Sequence, residues 1–257
     1  LVISKLIERR VRQKAIAVNP DLFIHLLPPI IDTERFATAR AHSEDVQEAI
    51  PHFLWCGAGY LDDVRFLVRA LALVNREGYA CRLRIITATF LGWTPELILD
   101  YAATHGLAPD AIQFKVGLDD AALASCYKSA MANLLPMWDD DKSRTRMPNK
   151  LSEYLASGRP VITCGVGDLL DFLVDGVNAY VGAPGNERDF ANNMIAVLQH
   201  PDVAARIGAA GQRTCVARSD YRLQVDSLSR FFIACIQHGR TRERSDCELV
   251  AESSNRE

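Results

Sequence analysis

From residue 51 onward, short apolar or β-branched runs alternate with longer stretches whose apolar residues recur at helical spacing. The runs predict strands over Phe53–Gly57, Leu83–Ala88, Ile112–Val116, Asn133–Pro136, Pro160–Thr163 and Ala179–Val181. Between them, Val64–Asn75 places Phe66, Leu67, Ala70, Leu71 and Val74 on one helix face. Pro95–Thr104 starts with Thr94 as a cap and Pro95 in the first turn, and Asp119–Ala132 and Pro148–Ser157 read as two further helices. Strands separated by helical crossovers pair in parallel, so the fold class is α/β: a doubly wound, Rossmann-like parallel sheet. Residues 187–237 read as nearly all helix, broken near Pro201 and around Gly208–Gly211. Tyr221–Ile236 carries a broad apolar stripe that must dock on something.

The ends of the chain differ from this pattern. A basic helix over about 3–14, an apolar strand at Phe23–Leu27 and the segment PPIIDTERF suggest that 1–50 is a connection and the remnant of a preceding domain. Residues 51–238 form the α/β domain, and 239–257 read as a mobile polar tail. The chain opens without Met or a signal-peptide pattern and is expected to be the later part of something longer.

Composition removes several classes of function. With 29 basic and 32 acidic residues the net charge is −3, which provides no basic field for nucleic acid. Every apolar run meets a charge well before the ~18 residues needed for a membrane span. The seven cysteines are widely spaced, with no C-x-x-C pair, and suit reduced, core-filling thiols of a cytoplasmic protein. Neither they nor the scattered histidines make a zinc site or a catalytic pair. Asp139, Asp140 and Asp141 cannot all face one cation without a turn, so no metal is assigned. Trp55 is expected in the core, while Trp93 and Trp138, in loops after strands, are candidates for stacking on a ligand as well as for packing.

Candidate chemistry gathers between Asn133 and Gly176. There a strand ends at Pro136, a polar and basic loop follows, and Pro148 opens a helix that stops at Gly158. In an open α/β sheet this loop and helix start lie at the carboxyl edge, where ligands bind. Free N–H groups and the positive end of the helix dipole favour phosphate there, and Arg144, Arg146 and Lys150 add charge. Glu153, farther along the helix, can accept hydrogen bonds from a ribose diol. Gly57 and Gly59 form a G-x-G after the first strand, a weak signal that describes a tight turn as well as a phosphate loop.

The segment PNKLSEYLASGRPVI, followed by VGDLLDFLVDG, resembles the donor-site signature of retaining GT-B glycosyltransferases, the glycosyl transferases group 1 or family 4-like branch. PPIIDTERF, FLWCGAGYLDDVRFLVRAL and FKVGLDDAALASCYKSA resemble its inter-domain segment and its first and third βα units. The resemblance implies the C-terminal, donor-binding half of such an enzyme. That half binds a nucleotide-diphosphate sugar and passes the glycosyl unit to an acceptor without metal or other cofactor. The acceptor would be held by an N-terminal domain absent from the chain, which would leave the fragment inactive alone. By the same resemblance Glu153 contacts the ribose, Asn149 and Lys150 face the diphosphate, and Asp171 aligns with the acid of the family's glycine-rich run. Gly59 would let the first loop approach the donor, and Arg144 and Arg146 would supply charge.

Family members often act in polysaccharide assembly on lipid-linked or surface acceptors at the inner membrane face, so any peripheral membrane contact would come through the missing half. Two departures stand out. Thr145 occupies the place of the family's first glutamate, and Ala58, Asp62, Asp63 and Val64 stand where an Arg and a Lys are usual, with Arg65 the nearest cation. These departures motivate the alternative of a non-catalytic nucleotide-binding or scaffold module. An epimerase or phosphorylase on the same architecture is a third class, and fold alone does not choose among them.

Overall fold

Each apolar run becomes a strand within about a residue of its expected place: β1 His52–Cys56, β2 Arg82–Thr87, β3 Ile112–Val116, β4 Asn133–Leu135, β5 Val161–Cys164 and β6 Tyr180–Gly182. All pair in parallel, in the order β3-β2-β1-β4-β5-β6. This is the doubly wound, Rossmann-like arrangement, and its winding reverses between β1 and β4. The computed structural model describes residues 1–15, 18–19, 22–38, 50–57, 60–90 and 92–238. Gly59, Ala58 and the 239–257 tail lie outside them.

The helices cover both faces of the sheet. Leu61–Arg76 buries Val64, Phe66, Leu67, Ala70, Leu71 and Val74, the face its periodicity predicted. Thr94 caps Pro95–Thr104 by accepting from Leu97 N, with Pro95 in the first turn as expected. Asp119 caps Asp120–Ser129, which ends three residues earlier than its pattern suggested. Among the described residues no helix is long and apolar enough to cross a membrane.

Two expectations fail and a third holds in part. Phe23–Leu27 is not a strand; among the described residues it makes a single isolated bridge, Val2 to Leu26. The Gly208–Gly211 stretch does not break its helix, which runs unbroken over Pro201–Ser219. These glycines serve close packing instead. A Cβ on Gly208 would lie 2.8 Å from Arg159 C and Pro160 N and closer still to Gly158 O, and one on Gly211 would lie 2.7 Å from Asn178 O. The last segment is a 3-10 turn, Tyr221–Gln224, and then a helix over 225–238. Its stripe is only partly docked: Phe231 stacks on His25, while Leu223, Val225 and Phe232 remain exposed.

Candidate functional site

The helix Asn149–Ala156 runs behind the point where the sheet reverses. Leu151, Tyr154 and Leu155 are buried, whereas Asn149 is exposed and Lys150 and Glu153 are partly exposed. Pro148 occupies the cap position and no side chain caps the helix; the N–H of Leu151 donates back to Pro148 O at 3.0 Å.

Tyr154 links this helix to the split in the sheet. Leu54 is the last β1 residue paired with β4, its N–H donating to Ala132 O. Two residues on, the strands have diverged, and the Tyr154 hydroxyl takes the partner's place. It accepts from Cys56 N at 2.7 Å and donates to Cys56 O at 3.2 Å. The gap that opens a doubly wound sheet to ligands is thus closed at its base by a residue adjacent to Glu153.

Lys150 and Glu153 meet directly. The Lys150 ammonium donates to Glu153 Oε2 at 2.8 Å, and the side chains are 31% and 21% exposed, so the pair is shielded yet reachable from solvent. The same oxygen accepts from the hydroxyl of Tyr127 at 2.9 Å. Glu153 and Asn149 also border a cleft of about 460 Å³ whose other walls are the 1–3 and 27–31 segments. Tyr127 carried no signal in the sequence analysis. It lies in the Asp120–Ser129 helix, and only folding brings it to Glu153.

The arginines separate. Arg144 is exposed and paired with Asp139 at 2.7 Å, so its charge is partly neutralised away from the helix start. Arg146 is half-buried, touches Met137 Sδ through Nη2 and has its Nε buried without a partner among the described residues. Arg146 and Lys142 both act on the buried carboxylate of Asp63. Burial is the largest influence on that carboxyl and raises its pKa. The Trp138 indole N–H, donating to it at 2.9 Å, and the two cations oppose the rise. Lys142 also lies 3.9 Å above the Tyr60 ring. Lys142 and Arg146 therefore lie near Tyr60 and the first turn of the Leu61–Arg76 helix, which carries Asp62 and Asp63.

The basic loop contains a short helix, Asp141–Thr145, which the sequence did not suggest. Asp140 caps it through Ser143 N, Asp141 pairs with Arg10 and Asp139 with Arg144, which accounts for the acidic triplet. Thr145 turns its hydroxyl back onto Asp141 O and Lys142 O. Its carbonyl accepts from Ser4 Oγ. Gly167, at φ +55°, presses against the backbone of Arg144, where a Cβ would come within 2.7 Å of the carbonyl oxygen. The N-terminal helix Lys5–Ala15 docks here as well: Lys5 N donates to Asp168, and the Lys5 ammonium pairs with Asp171 at 2.7 Å. Trp93, a stacking candidate by sequence, is buried against Phe90. Trp138 packs edge-on against Phe66.

Comparisons with known proteins agree with this architecture. The chain is 23% identical over 223 residues to D-inositol 3-phosphate glycosyltransferase of Nocardiopsis dassonvillei, covering 82% of this chain and 50% of that protein. It therefore spans half the length of that curated relative. Among solved structures, sucrose-phosphate synthase from Thermosynechococcus elongatus superposes with a TM-score of 0.72 at 19% identity, over 91% of this chain and 58% of that one. An Anabaena protein solved in complex with UDP-glucose superposes with a TM-score of 0.66 at 13% identity, over 82% of this chain and 57% of that one. At these identities the structural likeness is one of fold, that of the GT-B glycosyltransferases. Residues 50–200, more than half of the chain, match the glycosyl transferases group 1 family, to which this protein belongs.

Proposed function

We propose that the chain binds a nucleoside-diphosphate sugar and supplies the donor side of a metal-independent, retaining glycosyl transfer. The observation that carries this reading is the uncapped start of the Asn149–Ala156 helix at the sheet's reversal point, with Lys150 in its first turn and Glu153 bordering an open cleft. In this reading the diphosphate lies against the helix start, Asn149 and Lys150, with Arg146 and Lys142 replacing the cations that the family usually places on the first loop. Arg144 contributes at longer range, and Gly59 belongs to the loop that would approach the donor. Glu153 holds the ribose.

Transfer breaks the bond between the anomeric carbon and the diphosphate oxygen, and the acceptor hydroxyl forms the new bond to that carbon as its proton passes to the departing diphosphate. Negative charge grows on the departing diphosphate, where fixed N–H dipoles and cations stabilise it more than they stabilise the bound donor. The acceptor would be held by a preceding domain. The UDP-glucose bound by the Anabaena protein of similar fold supports the class of donor.

Calorimetry of the full-length protein against UDP-, GDP- and ADP-glucose tests the reading. Saturable heat with one of them is expected, and no heat together with no thermal shift for all three overturns it. A second reading, a binding module without catalysis, is favoured by Thr145 at the first-glutamate position and by the acids Asp62 and Asp63. Saturable donor binding without transfer or donor hydrolysis in the full-length protein would select it.

A further inference from the structure

The carboxylate of Glu153 is held by one oxygen only. Oε2 accepts from Lys150 at 2.8 Å and from the Tyr127 hydroxyl at 2.9 Å, whereas Oε1 has no hydrogen bond among the described residues. Tyr127 is itself immobilised. Its ring is fully buried, stacks on Phe36 at 6.3 Å and 12°, and meets Tyr154 edge-on at 5.1 Å. Phe36 comes from the PPIIDTERF segment, so that segment buttresses the helix that delivers Tyr127.

We infer that Tyr127 is a positioning residue for Glu153, its hydroxyl sharing Oε2 with Lys150 so that Oε1 is presented to the diol of a nucleoside ribose. This rests on the donor reading above. Two further features support it. Burial pushes the Tyr127 phenol far above its ordinary pKa, so it remains a hydrogen-bond donor at any working pH. Lys150 also lies 3.2 Å from the Tyr127 oxygen, so when the ammonium moves toward a phosphate the tyrosine still holds the carboxylate. A glutamate side chain left to choose among its rotamers loses affinity for a diol by the entropy of being fixed on binding.

The test compares UDP, GDP and ADP with their 2′,3′-dideoxy forms, by calorimetry, on wild type and Tyr127→Phe. The phenylalanine keeps both ring contacts and removes only the hydroxyl. Wild type should bind its preferred ribonucleotide about tenfold more tightly than the dideoxy form, the effect of about one hydrogen bond to a charged group. Tyr127→Phe should weaken the ribonucleotide about five- to tenfold and the dideoxy form less than about twofold, because Lys150 loses the Tyr127 oxygen as an acceptor but keeps its shorter bond to Glu153. In turnover the loss should appear in KM for the donor with kcat little changed.

Equal weakening of both nucleotides would show a general structural role and overturn the inference. So would a wild type that binds ribo- and dideoxynucleotide equally, which needs no variant and leaves diphosphate binding standing. Wild type that binds none of the three nucleotides would overturn the donor reading, and this inference with it.

Discussion

Removing the Tyr154 hydroxyl should cost far more stability than a single buried oxygen suggests. That oxygen serves both the N–H and the C=O of Cys56, at the point where β1 has lost β4 as a partner. Tyr154→Phe keeps the ring in its packing and leaves both backbone groups buried without partners. Each such group costs roughly 1–3 kcal/mol, so the expected loss is about 2–6 kcal/mol. For a domain of this size that corresponds to a fall in Tm of roughly 5–20 °C. Urea unfolding followed by far-ultraviolet circular dichroism, with wild type and variant fitted to a common m value, measures it. A loss below about 0.5 kcal/mol would mean that the strands close up or that water replaces the hydroxyl. In either case the split between β1 and β4 would not depend on Tyr154.

Two other predictions test the packing and the electrostatics around the site. Gly208→Ala should destabilise by up to about 2 kcal/mol even though alanine is the better helix former by about 1 kcal/mol, because the new methyl meets the Gly158–Pro160 backbone and overpacking of that kind costs about 1–3 kcal/mol; greater stability in thermal melts would refute this account of the unbroken helix. Asp63→Asn should raise Tm at pH 7, since burial has lifted the Asp63 pKa and its ionised form opposes folding above the folded-state value. Between the ordinary carboxylate pKa and that raised value the folded state binds more protons than the unfolded state, so wild-type stability falls as pH rises and the advantage of the variant should vanish on acidification. An advantage that grows at low pH would show that Arg146 and Lys142 outweigh burial.

Much of the fold was legible because its signals are local. A run such as Phe53–Cys56 or Val161–Cys164 announces a strand through its neighbours in sequence, and Thr94-Pro95 announces a helix start through capping chemistry that spans four residues. The spacing of Lys150 and Glu153 likewise puts them on adjacent positions of one helix face, where they are found paired.

What the tertiary structure decided is which distant groups share a place. Tyr127 reaches Glu153 from a helix more than twenty residues earlier, and Arg144 and Arg146, two residues apart, part company because one meets Asp139 and the other turns inward toward Met137. Gly208 looked like a helix breaker because the sequence shows only its conformational freedom. The backbone that crowds it arrives from residues 158–160. Local propensity depends on neighbours along the chain, whereas a strand's pairing, a glycine's purpose and a carboxylate's free oxygen depend on neighbours in space, and those exist only once the sheet has formed.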